Sequence, residues 1–170
     1  MSPPALQSII DAMPSSPRHI EVIARGVLSC RGHTLLCFAG PGVPPLIERK
    51  DHTLPYCYLP GGHIEPGEPA ATALRREFLE ECGLRVEVRK LVAVAEHKFT
   101  RRRKIYHELL VVFRVERGGG LTPIHSLEHD ISFAWVPHRL ISKLDYRPAA
   151  TASWARTDFS RPWISLFPQS

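Results

Sequence analysis

Gly62-His63-Ile64-Glu65-Pro66-Gly67-Glu68, followed seven residues later by Arg76-Glu77-Phe78-Leu79-Glu80-Glu81-Cys82-Gly83-Leu84, is the stretch whose reading decides the fold. Its second half predicts a helix. Pro69 suits a first helical position and Gly83 a C-terminal cap, and no Gly or Pro interrupts the thirteen residues between them. On a helical wheel Leu74, Phe78, Ala71, Cys82 and Leu79 form an apolar arc, with Arg75 inside it and expected to snorkel. Glu80, Ala73, Glu77, Ala70 and Glu81 form the opposite arc, so one side is expected to pack and the other to bind. Residues spaced i, i+3 and i+4 are neighbours, and the three acids Glu77, Glu80 and Glu81 therefore repel one another at the negative end of the helix dipole. Arg76, one turn before Glu80, relieves part of that repulsion through a pair worth only about 0.2–0.5 kcal/mol when exposed. A divalent cation would relieve the rest.

Most Glu-rich helical faces are simply solvated, and the acids alone do not overturn that reading. The whole pattern does. Gly-x5-Glu-x7-Arg-Glu-apolar-x-Glu-Glu-x-Gly-apolar fixes nine positions over twenty-three residues, and at each of them the segment resembles the box of the Nudix hydrolases. The resemblance implies an α/β fold, an α/β/α sandwich with a mixed sheet, whose catalytic loop-helix-loop binds Mg2+ or Mn2+ and a diphosphate. It further implies that Glu77, Glu80 and Glu81 are metal ligands, joined by the Gly61 carbonyl, while Gly62, Glu68, Arg76 and Gly83 support the motif. The base is expected to be Glu77 or an acid from a later loop, for which Glu128 is the candidate because it precedes the Phe133–Pro137 strand end. The implied reaction is hydrolysis, by metal-activated water, of a diphosphate bond in a nucleoside diphosphate linked to another moiety or in a nucleoside triphosphate. Hard divalent ions take oxygen ligands, so that chemistry suits these residue types. Two alternatives stay open: an RNA-end hydrolase acting on a cap or 5'-pyrophosphate, and a non-catalytic nucleotide sensor, which the intact acids disfavour.

Outside the box the pattern alternates strands and turns. Ile20–Ser29 and His33–Ala39 predict a hairpin around Arg31-Gly32, Tyr56–Leu59 a short strand entering Gly61-Gly62, and Val86–Val94, Tyr106–Val115 and Ser132–Val136 further strands. Pro137–Leu144 and Arg147–Ala155 read as helical. A Nudix domain is expected over residues 20–156, preceded by an arm or short helix at 1–19 and followed by a tail at 157–170, whose Trp163, Ile164, Leu166 and Phe167 should dock on the core or form an oligomer contact.

With 170 residues, 44% apolar, the chain can bury one good core. It has no apolar run long enough to span a membrane and no signal-peptide pattern at Met1–Arg18, so a cytoplasmic location without membrane contact is expected. Cys30, Cys37, Cys57 and Cys82 lack ligand spacing and read as free, mostly buried thiols. A net charge of +5 favours polyanionic ligands. A small nucleotide-type diphosphate is the favoured partner; RNA is not, and homodimerisation is left open. The densest basic run, Arg101-Arg102-Arg103-Lys104, sits between two strands, where it is either a solvated hairpin tip or a phosphate contact. Glu96, His97, His107 and Glu108 flank it on those strands, placed either to line a ligand cleft or to sit exposed or internally satisfied.

Overall fold

A computed structural model describes residues 20–41, 56–101 and 104–167, with backbone alone at 101 and 104. The expected N-terminal arm at 1–19, the residues Arg102 and Arg103, the side chains of Arg101 and Lys104, and the last three residues of the tail lie outside the described residues. The elements run in the order β1 (Glu21–Cys30), β2 (His33–Ala39), β3 (Cys57–Tyr58), α1 (Ala70–Cys82), β4 (Glu87–Arg101), β5 (Lys104–Glu116), β6 (Ile131–Pro137), α2 (His138–Ile141), α3 (Ala152–Ala155) and β7 (Trp163–Leu166).

The strands are mixed in direction and arranged β3-β2-β1-β5-β4-β7, with β6 pairing on β2. β1 runs parallel to β5, whereas β4 is antiparallel to β5 and parallel to β7. The β1–β2 hairpin pairs only near its turn, at Ser29 with Thr34 and Cys30 with His33. Beyond that the strands diverge, and the segment before α1 fills the gap. Ala24 and Gly26 donate their N–H groups to the Gly62 and Pro60 carbonyls, and Ile64 donates to Val22, each at 2.9 Å.

Alternation along the strands gives the sheet two buried faces. Ala24, Leu28, Leu35, Cys37, Val115 and Phe133 pack with Leu74, Phe78 and Cys82 of α1. Ile23, Val27, Leu36, Phe38, Leu110 and Val112 point the other way, against Ile141 of α2, Trp154 of α3 and Tyr146 between them. Helices thus cover both faces of a mixed sheet.

The structure changes several boundaries. β4 runs on to Arg101 because Phe99 finds a cross-strand partner in Tyr106, their rings stacked at 5.2 Å. The helix expected over 137–144 shrinks to one turn, and that over 147–155 becomes a 3-10 turn at Ala149–Thr151 followed by α3. Pro69 is the N-cap of α1 rather than its first residue, held extended at ψ 138°. The faces of α1 are also rotated from the wheel. Leu79 is 46% exposed, whereas Ala73 and Glu81 of the presumed binding arc are buried. Arg75 is exposed and bonds back to the Ala71 carbonyl.

Candidate active site

Two adjacent glycines fit the loop between β1 and α1. At Gly61, φ is +122°, and a Cβ there would collide with the Ala24 carbonyl oxygen. A Cβ on Gly62 would strike the Glu77 carboxylate. Small residues at these positions let the loop hydrogen-bond to β1 while lying directly over the acids of the helix. The helix ends where Gly83 turns left-handed at φ 66°, its N–H donating to the Leu79 carbonyl and that of Leu84 to Phe78.

The three acids do not share one exposed face. Glu80 is largely solvated, Glu77 is sheltered and Glu81 is buried at 8% exposure. Arg76 does far more than the single pair with Glu80 that its spacing suggests. Its Nε and Nη2 grip the two Glu68 oxygens at 3.1 and 3.0 Å, Nη1 donates to Glu77 at 2.7 Å and Glu80 at 3.0 Å, and Nη2 also reaches the His63 carbonyl at 3.1 Å. Such fork-shaped, charge-assisted contacts are the stronger kind of ion pair and fix loop to helix. They hold the Glu68 carboxyl below its usual range and raise the guanidinium's pKa further.

Glu81 lies against the core, and burial pushes its pKa up to about 7. Arg25 and a backbone hydrogen bond from Gly61 oppose that shift, while the like charges of Glu77 and Glu128 add to it. Its Oε2 is buried and accepts no hydrogen bond. An orphaned carboxylate oxygen in a desolvated position normally costs on the order of 1–3 kcal/mol, so its retention calls for a ligand-facing explanation.

Arg25, on β1, is the neighbour that sequence reasoning missed. Its guanidinium donates to the carbonyls of Gly61 and Leu59 and stacks 4.8 Å over the Tyr58 ring. The available signal was a lone charge inside the apolar run Val22-Ile23-Ala24-Arg25-Gly26-Val27-Leu28.

Glu128 is exposed, on a loop tied to the end of α1. Leu127 donates its N–H to the Glu81 carbonyl at 2.7 Å, and the Glu128 N–H donates to Ser126 Oγ at 3.1 Å. The later acid is therefore brought within electrostatic reach of Glu81. The four cysteines are free; burial drives the Cys37, Cys57 and Cys82 thiols up to about 12, so they are inert near neutral pH.

As placed, no three His, Cys, Asp or Glu side chains among the described residues converge into a ready metal cage. Glu77 and Glu80 face Arg76, and the Gly61 carbonyl faces Arg25. The donor chemistry nevertheless fits a hard divalent ion, being all oxygen, with Glu81 Oε2 lacking any partner.

On the other face of the sheet a cleft of about 610 Å3 opens beside the same loop. Arg25 and Leu59 lie at its box end, Tyr56, Tyr146 and Arg147 form one wall, and His97 and Phe99 the other. Alternation sorts the four residues flanking the basic loop. His97 and Glu108 line the cleft, whereas Glu96 and His107 bond to each other at 3.1 Å on the opposite face.

The NUDIX domain model matches residues 35–156. A 39-residue stretch is 51% identical to the 8-oxo-dGDP phosphatase NUDT18 of Homo sapiens, a match spanning 23% of this chain and only 12% of that protein. Among solved structures, the MutT protein of Methanosarcina mazei Go1 superposes with a TM-score of 0.62 at 19% identity, covering 86% of this chain and 97% of that one. An ADP-ribose pyrophosphatase of Streptococcus suis gives 0.51 at 16% identity, over 85% and 98%. The structural likenesses establish the fold, and the family match over most of the chain shows that this protein belongs to the Nudix family.

Proposed function

We propose that this chain hydrolyses the diphosphate bond of a small nucleoside diphosphate derivative or nucleoside triphosphate, using Mg2+ or Mn2+ held by Glu77, Glu80, Glu81 and the Gly61 carbonyl. The observation that carries this reading is Glu81, buried beside the Gly61 loop with one carboxylate oxygen unsatisfied. When bound, the cation supplies charge neutralisation on the phosphate oxygens and makes water a stronger acid. The chain's own residues prepare the rest. Arg76 fixes the loop against the helix through Glu68, and the Gly61-Gly62 pair lets Glu77 approach the backbone. Arg25 stands where a guanidinium can exchange a carbonyl partner for a phosphate oxygen. Glu128, charge-coupled to Glu81, is the proposed base.

The cleft beside the box favours a small nucleotide over an RNA end, because about 610 Å3 matches a drug-sized ligand rather than an extended strand. The matched relatives named for 8-oxo-dGDP and ADP-ribose chemistry support the same substrate class. The functional domain is taken as residues 20–156, to which β7 adds an edge strand on β4. A panel of nucleoside diphosphate derivatives and triphosphates, assayed with excess chelator and then with added Mg2+ or Mn2+, tests the proposal. Phosphate release that vanishes on chelation and returns with metal is expected; turnover undiminished in chelator would overturn it.

A further inference from the structure

The cleft has a chemical order. The Gly61 loop pairs with the β1 edge, and the sheet then runs β1, β5, β4. Crossing it from the loop, the cleft meets Arg25 on β1, then Glu108 on β5, then His97 and Phe99 on β4. Strands lie about 4.8 Å apart, so the cleft leads from a cationic end beside the box to an aromatic end, with one acid between them. His97 and Phe99 stack on each other at 4.8 Å, and the facing Tyr56 ring carries the Arg147 guanidinium at 4.3 Å. Flat surfaces therefore line both walls, as a planar heterocycle requires.

Glu108 is the sole carboxylate among the residues lining this cleft. It accepts no hydrogen bond and forms no ion pair with the described residues, whereas Glu96 on the opposite face is bonded to His107. Desolvation raises its pKa, with Glu21 adding to the shift and Arg25 and His63 opposing it. An ionised carboxylate offers two acceptor oxygens side by side and no donor. Its best neutral partner is a pair of adjacent N–H groups on one edge of a ring. Among nucleobases the guanine type presents such an edge, with a ring N–H next to an exocyclic amino group. Adenine's corresponding edge alternates an acceptor with a donor, and hypoxanthine lacks the amino group.

We propose that Glu108 is a specificity-determining residue that reads the N–H edge of a guanine-type base held between the His97/Phe99 and Tyr56 walls, so that the diphosphate extends over Arg25 toward the acidic helix. This rests on the proposed nucleotide chemistry of the box, and it adds the identity of the base. Selection is by the cost of mismatch: a base with an acceptor on that edge would set the half-buried Glu108 against a like partner.

The experiment uses the full chain in excess chelator, where hydrolysis is suppressed, and measures binding of GMP, IMP and AMP by calorimetry. GMP is expected to bind at least about 10-fold more tightly than IMP or AMP, since a site that hydrogen-bonds a ligand's N–H groups discriminates strongly against an analogue that lacks them. Glu108→Gln should erase that gap while leaving thermal unfolding near that of the parent. Equal binding of the three nucleotides by the parent overturns the proposal, as does binding of none of them or a gap that survives in the variant. The parent's GMP-to-IMP ratio stands as a test even if the variant folds poorly. Failure here with metal-dependent hydrolysis intact would leave the proposed reaction standing. A GMP preference in a chain without such hydrolysis would do the reverse.

Discussion

The two faces of the sheet solve opposite problems. Under the Gly61 loop, carboxylates are gathered against the core and held by guanidinium groups, with Glu81 Oε2 unsatisfied, so that region is electrostatically incomplete. Across the sheet, the cleft is lined by packed aromatic rings over a fully buried Trp154, with Glu108 as its one carboxylate among the lining residues. On the proposed reading the first region works through a bound cation, whereas the cleft takes a ligand by its shape and by the Glu108 carboxylate. The proposed nucleoside binding and the proposed chemistry at the phosphate therefore fall to separate regions, and Arg25, which touches both, marks the seam.

Glu81→Gln should produce the largest effect and the sharpest separation. Hydrolysis should fall by at least about 10²-fold, because the negative charge of a proposed metal ligand is removed while shape is kept. Stability should move the other way. An acid whose pKa rises from 4.5 to about 7 on folding holds its proton in the native state after the unfolded chain has released it, so stability falls as pH climbs between those values. The stability lost above pH 7 is on the order of 1–3 kcal/mol, taking about 1.4 kcal/mol per pKa unit as an upper scale. Glutamine cannot ionise, so in chelator at pH 8 the variant should melt at a higher temperature than the parent, and at pH 4.5 the two should converge. Mononucleotide binding in the cleft should survive. Loss of stability and of cleft binding together with activity would break the comparison and make α1 merely structural.

The same contrast explains what could be read in advance. The box was legible because its logic is local: a loop, a helix and its caps fall within twenty-three consecutive residues, although spacing put Glu77, Glu80 and Glu81 on one face and the structure divides them between solvent and core. The rotation that buries Glu81 and exposes Leu79 was not legible, since it depends on how α1 sits against Leu35, Cys37 and Phe133 from distant strands. The reach of Arg76 to Glu68 and His63 was hidden for a related reason, because a helical wheel knows nothing of the preceding loop. The cleft was illegible as a whole. It draws Arg25, Tyr56, His97, Glu108 and Arg147 from separate segments, and period-2 alternation could offer His97 and Glu108 only as candidates until the sheet fixed which face each strand turns inward. Short apolar runs near the C-terminus read as longer helices because nothing local marks the tertiary contacts that limit them to single turns.

Glu128→Gln asks a narrower question, since Glu77 is expected to hold metal whichever acid takes the proton. If Glu128 is the base, kcat should drop by about 10²-fold with the acidic limb of its pH profile flattened, while metal affinity and GMP binding stay near those of the parent. The Ser126 and Leu127 contacts that position the loop do not use the carboxylate, so folding should be unaffected. Turnover near the parent's would remove Glu128 from the chemistry and return the base to a box carboxylate, placing the whole reaction on the helix side of the comparison.

The smallest effect is expected at Arg101-Arg102-Arg103-Lys104. The β4–β5 hairpin pairs Phe99 with Tyr106 and Arg101 with Lys104, so the run follows directly on Thr100, a residue of the cleft lining. A charge beside the cleft mouth can draw a polyanion toward it without taking part in the proposed chemistry at the box. Its attraction is screened over about 8–10 Å at ordinary salt, and electrostatic steering acts on encounter rather than on the chemical step. Replacing the four residues by Gln should therefore raise KM a few-fold at low ionic strength, leave kcat unchanged, and lose its effect as salt is added. A KM that is the same in parent and variant at every salt concentration would make the run a solvated hairpin tip and confine ligand attraction to Arg25 and Arg147. A fall in kcat instead would mean that the hairpin moves with the reacting centre, and the independence of the two faces would have to be abandoned.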